Sequence, residues 1–327
     1  MTTSRDFHDN INIVDGLNAS WFFDDAVFFK LHQGGITAAN TTVSAWQGPA
    51  ETLDLVGRMY QQLEKHSEIA LQVRTVADIQ AAKTQKRVGC ILGFQDTSPI
   101  GDQLHLLRVY RELGVRIIQL TYNTENRVGF GCQASEDKGL TPFGREVIVE
   151  MNRLGILIDL SHCGPRTTIE AIEASEQPVA ITHANPASQF PHARNKSDDI
   201  IKALVERSGV IGALSFPAML TDRFPATLDD YLQVIDCLVE MVGVESVGLG
   251  PDFMEHMPKE IEDAALQALP PEMQEIFRNM APVERFASIA DMPNVTDGLL
   301  KRGYSEGDVA KIMGENWIRL YGDVWKD

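Results

Sequence analysis

Eight short, β-rich apolar runs recur along the chain, and most of them are followed by a segment with helical periodicity. Most runs are apolar throughout instead of alternating with polar residues, which is typical of strands covered on both faces, as in a parallel sheet. Eight such strands alternating with helices in 327 residues predict the α/β class, with residues 1–327 forming a single (β/α)8 barrel domain of the TIM type. The runs span residues 11–15, 35–44, 88–94, 115–122, 155–160, 178–181, 210–216 and 246–249.

The segment after the eighth run departs from this alternation. Residues 254–295 are helix-prone and interrupted by prolines, and we expect them to form a helical segment over or beside the barrel mouth. Near the C-terminus, Ser305 and Asp308 have the spacing of a helix N-cap. They predict a closing helix over residues 305–321.

A histidine closes each of the two runs inside residues 139–183, where His162 follows the fifth run and His183 follows the sixth. Chemistry in parallel α/β folds is placed at the carboxyl ends of strands, and two imidazoles there are a candidate metal pair. The alternative is that each histidine caps its strand and bonds a loop. Because the two occupy matching positions, we favour a site.

The composition of the chain limits the kinds of partner and the cellular location that we expect. The formal net charge is −17, which argues against nucleic acid or an anionic membrane as the main partner, since both require a basic surface. The four cysteines form no CxxC pair, the N-terminus lacks the apolar core of a secretory signal, and no apolar run is long enough to span a bilayer. We therefore expect reduced thiols, a small-molecule substrate and a cytoplasmic location.

Several blocks of the chain resemble the membrane (renal) dipeptidase family of zinc metallohydrolases. The resemblance runs from about residue 13 to residue 322. It implies a (β/α)8 barrel of the amidohydrolase type, cleavage of dipeptides or other small amides, two zinc ions sharing a bridging carboxylate, and a homodimer. The blocks are GLTPFGREVIVEMNRLGILIDLSH, PVAITHANP, HARNKSDD, GLGPDF and GYSEGDVAKIMGENWIRLYG.

The resemblance also implies roles for individual residues. His162 and His183 match the two histidines of the family's second zinc, and Asp252 matches its acid/base carboxylate. Arg194 matches the arginine that binds the substrate carboxylate, a role that suits the guanidinium fork, and Asn195 beside it is expected to bind substrate as well.

The first half of the family's site is different here. The chain has Asp15-Gly16-Leu17-Asn18-Ala19 where the family has Asp-Gly-His-x-Asp, so the histidine and second aspartate that bind the first zinc are replaced. Gln95 stands in place of the bridging glutamate, and Tyr122 in place of a substrate-contacting histidine. A neutral carboxamide cannot offset the repulsion of two dications, so we expect one zinc per chain. The third ligand is left open between the Gln95 oxygen, Asp252 and a thiolate such as Cys132.

The leading hypothesis is a single-metal hydrolase in which Asp252 is the general base and Tyr122 donates to the developing oxyanion. One alternative is a catalytically inactive barrel that binds a small molecule. Another is a metal-free lyase or isomerase that uses Asp252 and Tyr122 as acid and base.

The other polar residues are assigned structural places. Asp159 is expected to be a buried hydrogen-bond partner, and Cys163 to point into packing. Six further histidines are expected at the surface, with His192 and His256 near the mouth; the other four are His8, His32, His66 and His105.

Overall fold

The computed structural model describes residues 3–267, 274–275 and 280–326. Within these ranges nine strands form one parallel sheet, and pairing of β2 with β4 and of β1 with β9 closes eight of them into a barrel. The predicted (β/α)8 barrel is thereby confirmed. The strands are β1 (Val14–Asn18), β2 (Ala38–Ser44), β3 (Ala70–Gln72), β4 (Val88–Phe94), β5 (Val115–Gln119), β6 (Leu157–Asp159), β7 (Ala180–Ile181), β8 (Val210–Ala213) and β9 (Val247–Leu249).

The ninth strand, β3, was not expected from the sequence. It pairs only with the first three residues of β4, on the edge that β5 occupies further along. It has three residues, like β6 and β9, and the sequence prediction missed it.

The helices fill the segments between strands. Thr141 caps α6, whose first residue is Pro142, and Gly155 ends that helix with φ of 67° in the left-handed region that glycine adopts without strain. The described α-helices are α1 (Ser4–Asn10), α2 (Asp25–Gln33), α3 (Pro49–Lys65), α4 (Val76–Gln85), α5 (Leu106–Glu112), α6 (Pro142–Leu154), α7 (Pro165–Ala174), α8 (Asp198–Glu206), α9 (Leu228–Val242), α10 (Lys259–Gln267), α11 (Met292–Lys301), α12 (Glu306–Ala310) and α13 (Asn316–Val324).

The C-terminal helix α13 closes the end of the barrel where the strands begin. Trp317 on α13 is fully buried among the first residues of several strands, and its indole Nε1–H donates to the Leu249 carbonyl at 3.0 Å. Gly248 leaves the space that the ring needs, because a Cβ there would lie 2.4 Å from Nε1. With this end filled, the carboxyl ends of the strands are left to form a site.

The segment after β9 is tied to the loop after β1. The Ala19 N–H donates to the Phe253 carbonyl at 2.9 Å, and the Trp21 N–H to the Glu255 carbonyl at 2.8 Å. Within the predicted excursion 254–295, the described residues include α10, a 3-10 turn (Ile289–Asp291) and the start of α11, whereas residues 268–273 and 276–279 lie outside the described residues. A π-helical turn, Lys311–Glu315, separates α12 from α13, so the closing region is interrupted and ends at Val324.

Two of the six histidines expected at the surface are buried instead. His8 Nδ1 lies 2.6 Å from Thr296 Oγ1, and His8 Nε2 lies 2.9 Å from the Gly34 carbonyl. His66 stacks on Phe28 with ring centroids 4.6 Å apart. Their packing partners come from elsewhere in the fold, so nothing adjacent to them in the sequence indicated burial.

No helix among the described residues is long and apolar enough to cross a membrane.

Candidate active site

His162 and His183 meet at the carboxyl end of the barrel. His162 lies three residues beyond β6, and His183 lies two residues beyond β7. Their Nε2 atoms are 2.9 Å apart, and their rings are tilted by 57°. The structure thus brings together the two histidines that the sequence paired.

Each imidazole is held from behind through its Nδ1 atom. His162 Nδ1 lies 2.7 Å from Asn123 Oδ1, and His183 Nδ1 lies 2.7 Å from Thr182 Oγ1. Burial, reinforced by the positive charge of Arg194, lowers the pKa of both imidazoles well below the ordinary value. Both rings are therefore neutral near pH 7.

Asp159 anchors the support behind His183. Its carboxylate accepts the hydroxyl of Thr182 at 2.7 Å and that of Ser161 at 2.5 Å. The backbone N–H groups of the same two residues donate to Oδ1 at 3.0 Å. The expectation of a buried hydrogen-bond partner is confirmed.

Asn123 is the site residue that sequence reasoning missed. It directly follows Tyr122, and its φ of 55° lies in the left-handed region, which asparagine tolerates better than most residues. The Cys132 thiol lies 3.7 Å from the same Oδ1 atom that faces His162. Cys132 therefore lies beside Asn123 at the rim. The only hint in the sequence was the position of Asn123 just past a strand end.

Tyr122 covers one face of His162. The two rings are stacked with centroids 4.2 Å apart, and the Trp46 ring meets Tyr122 edge-on at 5.3 Å. Burial raises the pKa of the Tyr122 phenol, so it stays protonated and can act as a donor. Since Trp46 is 53% exposed, an aromatic wall leads from the surface to the histidine pair.

Asp252 follows β9 and also has a left-handed backbone, with φ of 63°. Its N–H donates to the carbonyl of Leu17 on β1 at 3.2 Å, so β1 helps to hold this conformation. Burial raises the pKa of the Asp252 carboxyl to about 7, although Arg194 opposes the shift. A carboxyl group with this pKa can both take and give a proton near neutral pH.

Arg194 is buried beneath the histidine loops. Its Nη1 donates to the Ser161 carbonyl at 2.6 Å and its Nη2 to the His183 carbonyl at 2.7 Å. Its Nε–H is buried and has no acceptor among the described residues. One donor of the guanidinium group thus has no partner in the described part of the chain.

Asn195 and His192, which lie next to Arg194, form hydrogen bonds with main-chain groups. The Asn195 amide nitrogen donates to the Phe190 and Met219 carbonyls at 2.8 and 3.0 Å, while its Oδ1 is buried with no donor among the described residues. His192 Nδ1 accepts the Arg194 N–H at 3.1 Å.

Cys163 and Lys196 are buried next to each other near the site. Cys163 is buried, and its sulfur accepts the Thr121 hydroxyl at 3.3 Å, in agreement with the expected packing role. Lys196, which the sequence did not single out, donates to the Cys163 carbonyl at 2.6 Å, and burial lowers its pKa to about 8.

The comparisons with known proteins agree with this architecture. Residues 22–280 match the family model described as Membrane dipeptidase (Peptidase family M19). The chain belongs to the membrane dipeptidase family.

The curated relatives of this family member are longer than the chain itself. It is 29% identical over 282 residues to Dipeptidase aclJ of Aspergillus oryzae, covering 84% of this chain and 60% of that protein. It is 27% identical over 279 residues to Dipeptidase tcpJ of Claviceps purpurea, covering 84% and 59%. The chain thus spans about 60% of the length of these relatives.

Solved structures share the whole barrel. An amidohydrolase from Pseudomonas aeruginosa has a TM-score of 0.94 and 36% identity, with 99% of this chain and 100% of that chain covered. A metallo peptidase from Rhodobacter sphaeroides, liganded with a phosphinate mimic of the dipeptide L-Ala-D-Ala, has a TM-score of 0.81 and 19% identity, with 96% and 99% covered. At that lower identity the likeness shows the fold alone.

Membership of a metallopeptidase family implies a metal ion, and the donor atoms present fit part of one site. The two neutral imidazoles present convergent Nε2 atoms, which suit zinc. The first half of the family's site does not hold an ion of its own. Leu17 and Ala19 carry no ligand atoms, and the Gln95 amide nitrogen donates to Thr42 Oγ1 at 2.9 Å. Among the residues that the structure describes, no three or more His, Cys, Asp or Glu side chains are grouped to hold a metal.

Proposed function

We propose that this member of the membrane dipeptidase family is a metal-dependent hydrolase that uses one zinc ion per chain. The observation that carries the proposal is the convergence of His162 Nε2 and His183 Nε2 at 2.9 Å. We assign Gln95 Oε1 as a third protein ligand, because it is the one atom of that carboxamide able to bind a metal.

The reaction we propose is hydrolysis of a small amide. A bound zinc ion would lower the pKa of a water molecule toward ~7, from about 15.7 in bulk. Asp252, with a pKa of about 7, takes the proton from the nucleophile and delivers it to the leaving nitrogen. Tyr122 remains a neutral phenol and is assigned as the donor to the developing oxyanion.

The substrate we propose carries a carboxylate. The Arg194 Nε–H is buried and has no acceptor among the described residues. We assign it as a donor to the substrate carboxylate. Asn195 Oδ1, buried and likewise without a donor in the described part of the chain, is assigned to a substrate N–H group. A dipeptide meets both requirements, and two of the relatives above are named dipeptidases.

Metal content tests this proposal. Protein purified without added metal is expected to hold about one zinc per chain, and a panel of dipeptides and N-acylated amino acids is expected to reveal hydrolysis that a chelator abolishes. Zinc near two per chain would contradict the single-ion site. No zinc, with no activity on metal addition, would overturn the hydrolase and leave the small-molecule-binding barrel or the metal-free lyase or isomerase.

We further propose a homodimer located in the cytoplasm. The dimer rests on the family resemblance, and the location on four free cysteines. Light scattering on the purified protein and fractionation of cells test the two statements separately.

A further inference from the structure

The hydrogen atoms behind the two imidazoles can be assigned one by one. Thr182 Oγ1 lies 2.7 Å from Asp159 Oδ2, a carboxylate oxygen that can only accept, so the threonine hydroxyl is donated there. The same oxygen lies 2.7 Å from His183 Nδ1. With its hydrogen committed to Asp159, Thr182 can only accept from the ring. His183 therefore carries its proton on Nδ1.

The His162 side reaches the same result by a different route. Its Nδ1 lies 2.7 Å from Asn123 Oδ1, an amide oxygen that accepts hydrogen bonds, and the Cys132 thiol also points to that oxygen. His162 is therefore protonated on Nδ1 as well. The left-handed backbone of Asn123 is held by close packing, since a Cβ on Gly131 would lie 2.2 Å from the Asn123 carbonyl carbon.

We propose that Asn123 and Thr182 are positioning residues that fix both imidazoles as Nδ1–H tautomers, so that two Nε2 lone pairs face one point and require a cation there. Two bare lone pairs 2.9 Å apart repel each other, and a cation bound by both nitrogens would offset that repulsion. The effect on metal binding rests on the proposed function, because it concerns the same zinc site. Partners of this kind behind metal-binding histidines typically change metal affinity 10–100-fold.

Matched variants separate positioning from folding. Asn123→Gly removes the acceptor and keeps the left-handed backbone, while Asn123→Asp keeps an acceptor. Thr182→Val removes the hydroxyl at nearly constant shape, while Thr182→Ser keeps it. Thr124, exposed on the same turn as Asn123, supplies the control variant Thr124→Ala.

Zinc affinity is measured by chelator competition on the full chain. Asn123→Gly and Thr182→Val are each expected to weaken binding about 10–100-fold, whereas Asn123→Asp, Thr182→Ser and Thr124→Ala bind as the wild type does. Equal affinity in the Gly and Val variants and the wild type would overturn the proposal.

Nitrogen-15 NMR with labelled histidine tests the tautomers directly. In the zinc-loaded wild type, both rings are expected to show a protonated Nδ1; a proton on either Nε2 would refute the assignment. If the wild type binds no zinc, the proposed function fails. Spectra of the metal-free protein still test whether Thr182 fixes the tautomer of His183. There His183 is expected to carry Nδ1–H in the wild type and in Thr182→Ser, and to lose that preference in Thr182→Val. An unchanged spectrum in Thr182→Val would refute the positioning role of Thr182.

Discussion

Asp252 shows how one residue combines strain and altered acidity. Its left-handed backbone is uncommon outside glycine, and such conformations gather at functional sites, where the surrounding structure maintains them. Burial raises the pKa of its carboxyl to about 7, so its protonation changes near neutral pH. A general base must be ionised to act.

We therefore expect kcat/KM to rise with pH through about 7, following ionisation of Asp252. Asp252→Asn should lose about 10²–10⁴-fold in kcat, the usual contribution of a general base, with zinc content unchanged. A wild-type profile that is flat between pH 5 and pH 9 would rule out this role.

The same carboxyl predicts the sign of a stability effect. Because its pKa is raised on folding, the folded chain retains a proton that the unfolded chain releases between about pH 4 and pH 7. The contribution of this group to the free energy of unfolding therefore falls as pH rises through that window. Asp252→Asn should melt at a higher temperature than the wild type at pH 8, and the difference should shrink toward pH 4.

The role of the Arg194 side chain can be tested by a conservative substitution. Arg194→Lys keeps the charge but removes the Nε donor and the fork. We expect KM for a carboxylate-bearing substrate to rise about 10–100-fold, in line with the worth of a charged hydrogen bond, and KM for the amidated analogue to change little. Equal effects on the two substrates would show that the arginine only supports the His183 and Ser161 carbonyls.

At the scale of elements, the residues of β1 form internal hydrogen bonds in place of a metal site. Asp15 is buried and accepts the Leu17 N–H at 3.1 Å and the Asn18 amide at 2.9 Å, so its carboxylate is occupied within the loop. Leu17 itself is buried, and its carbonyl holds the Asp252 backbone. The strand β1 therefore still supports the site without supplying a ligand.

Restoring the family's ligands tests this interpretation. The combined substitution Leu17→His, Ala19→Asp and Gln95→Glu should raise zinc from about one to about two per chain. Gln95→Glu alone, the matched control, should leave the zinc count near one because Leu17 and Ala19 still supply no ligand. If dipeptide hydrolysis appears only in the triple variant, the natural protein acts on a different small amide.

At the scale of the whole molecule, α13 closes one end of the barrel. Trp317 occupies space that glycines on β1, β8 and β9 leave free, so the chain's last helix completes a core begun by its first strand. The site opens at the opposite end.

Trp317→Ala should lower the free energy of unfolding by about 3–5 kcal/mol through the cavity it leaves. Trp317→Phe should cost less, since much of the ring remains. Chemical denaturation measures both losses of stability. A stability loss below about 1 kcal/mol in the alanine variant would show that the ring does not fill the barrel.

The sequence was sufficient for the barrel, for its eight main strands, and for the pairing of His162 with His183. Those features follow from local properties: an apolar run of strand length, helical periodicity after it, and a histidine where each strand stops. Only the tertiary structure decided which atoms lie behind the histidines. Asn123 is 39 positions from His162 and Asp159 is 23 from Thr182, so no local pattern joins them. His8 is buried against a partner 288 positions away for the same reason. Periodicity records which face of an element is covered, whereas the side chain that meets a given imidazole depends on the closure of the barrel.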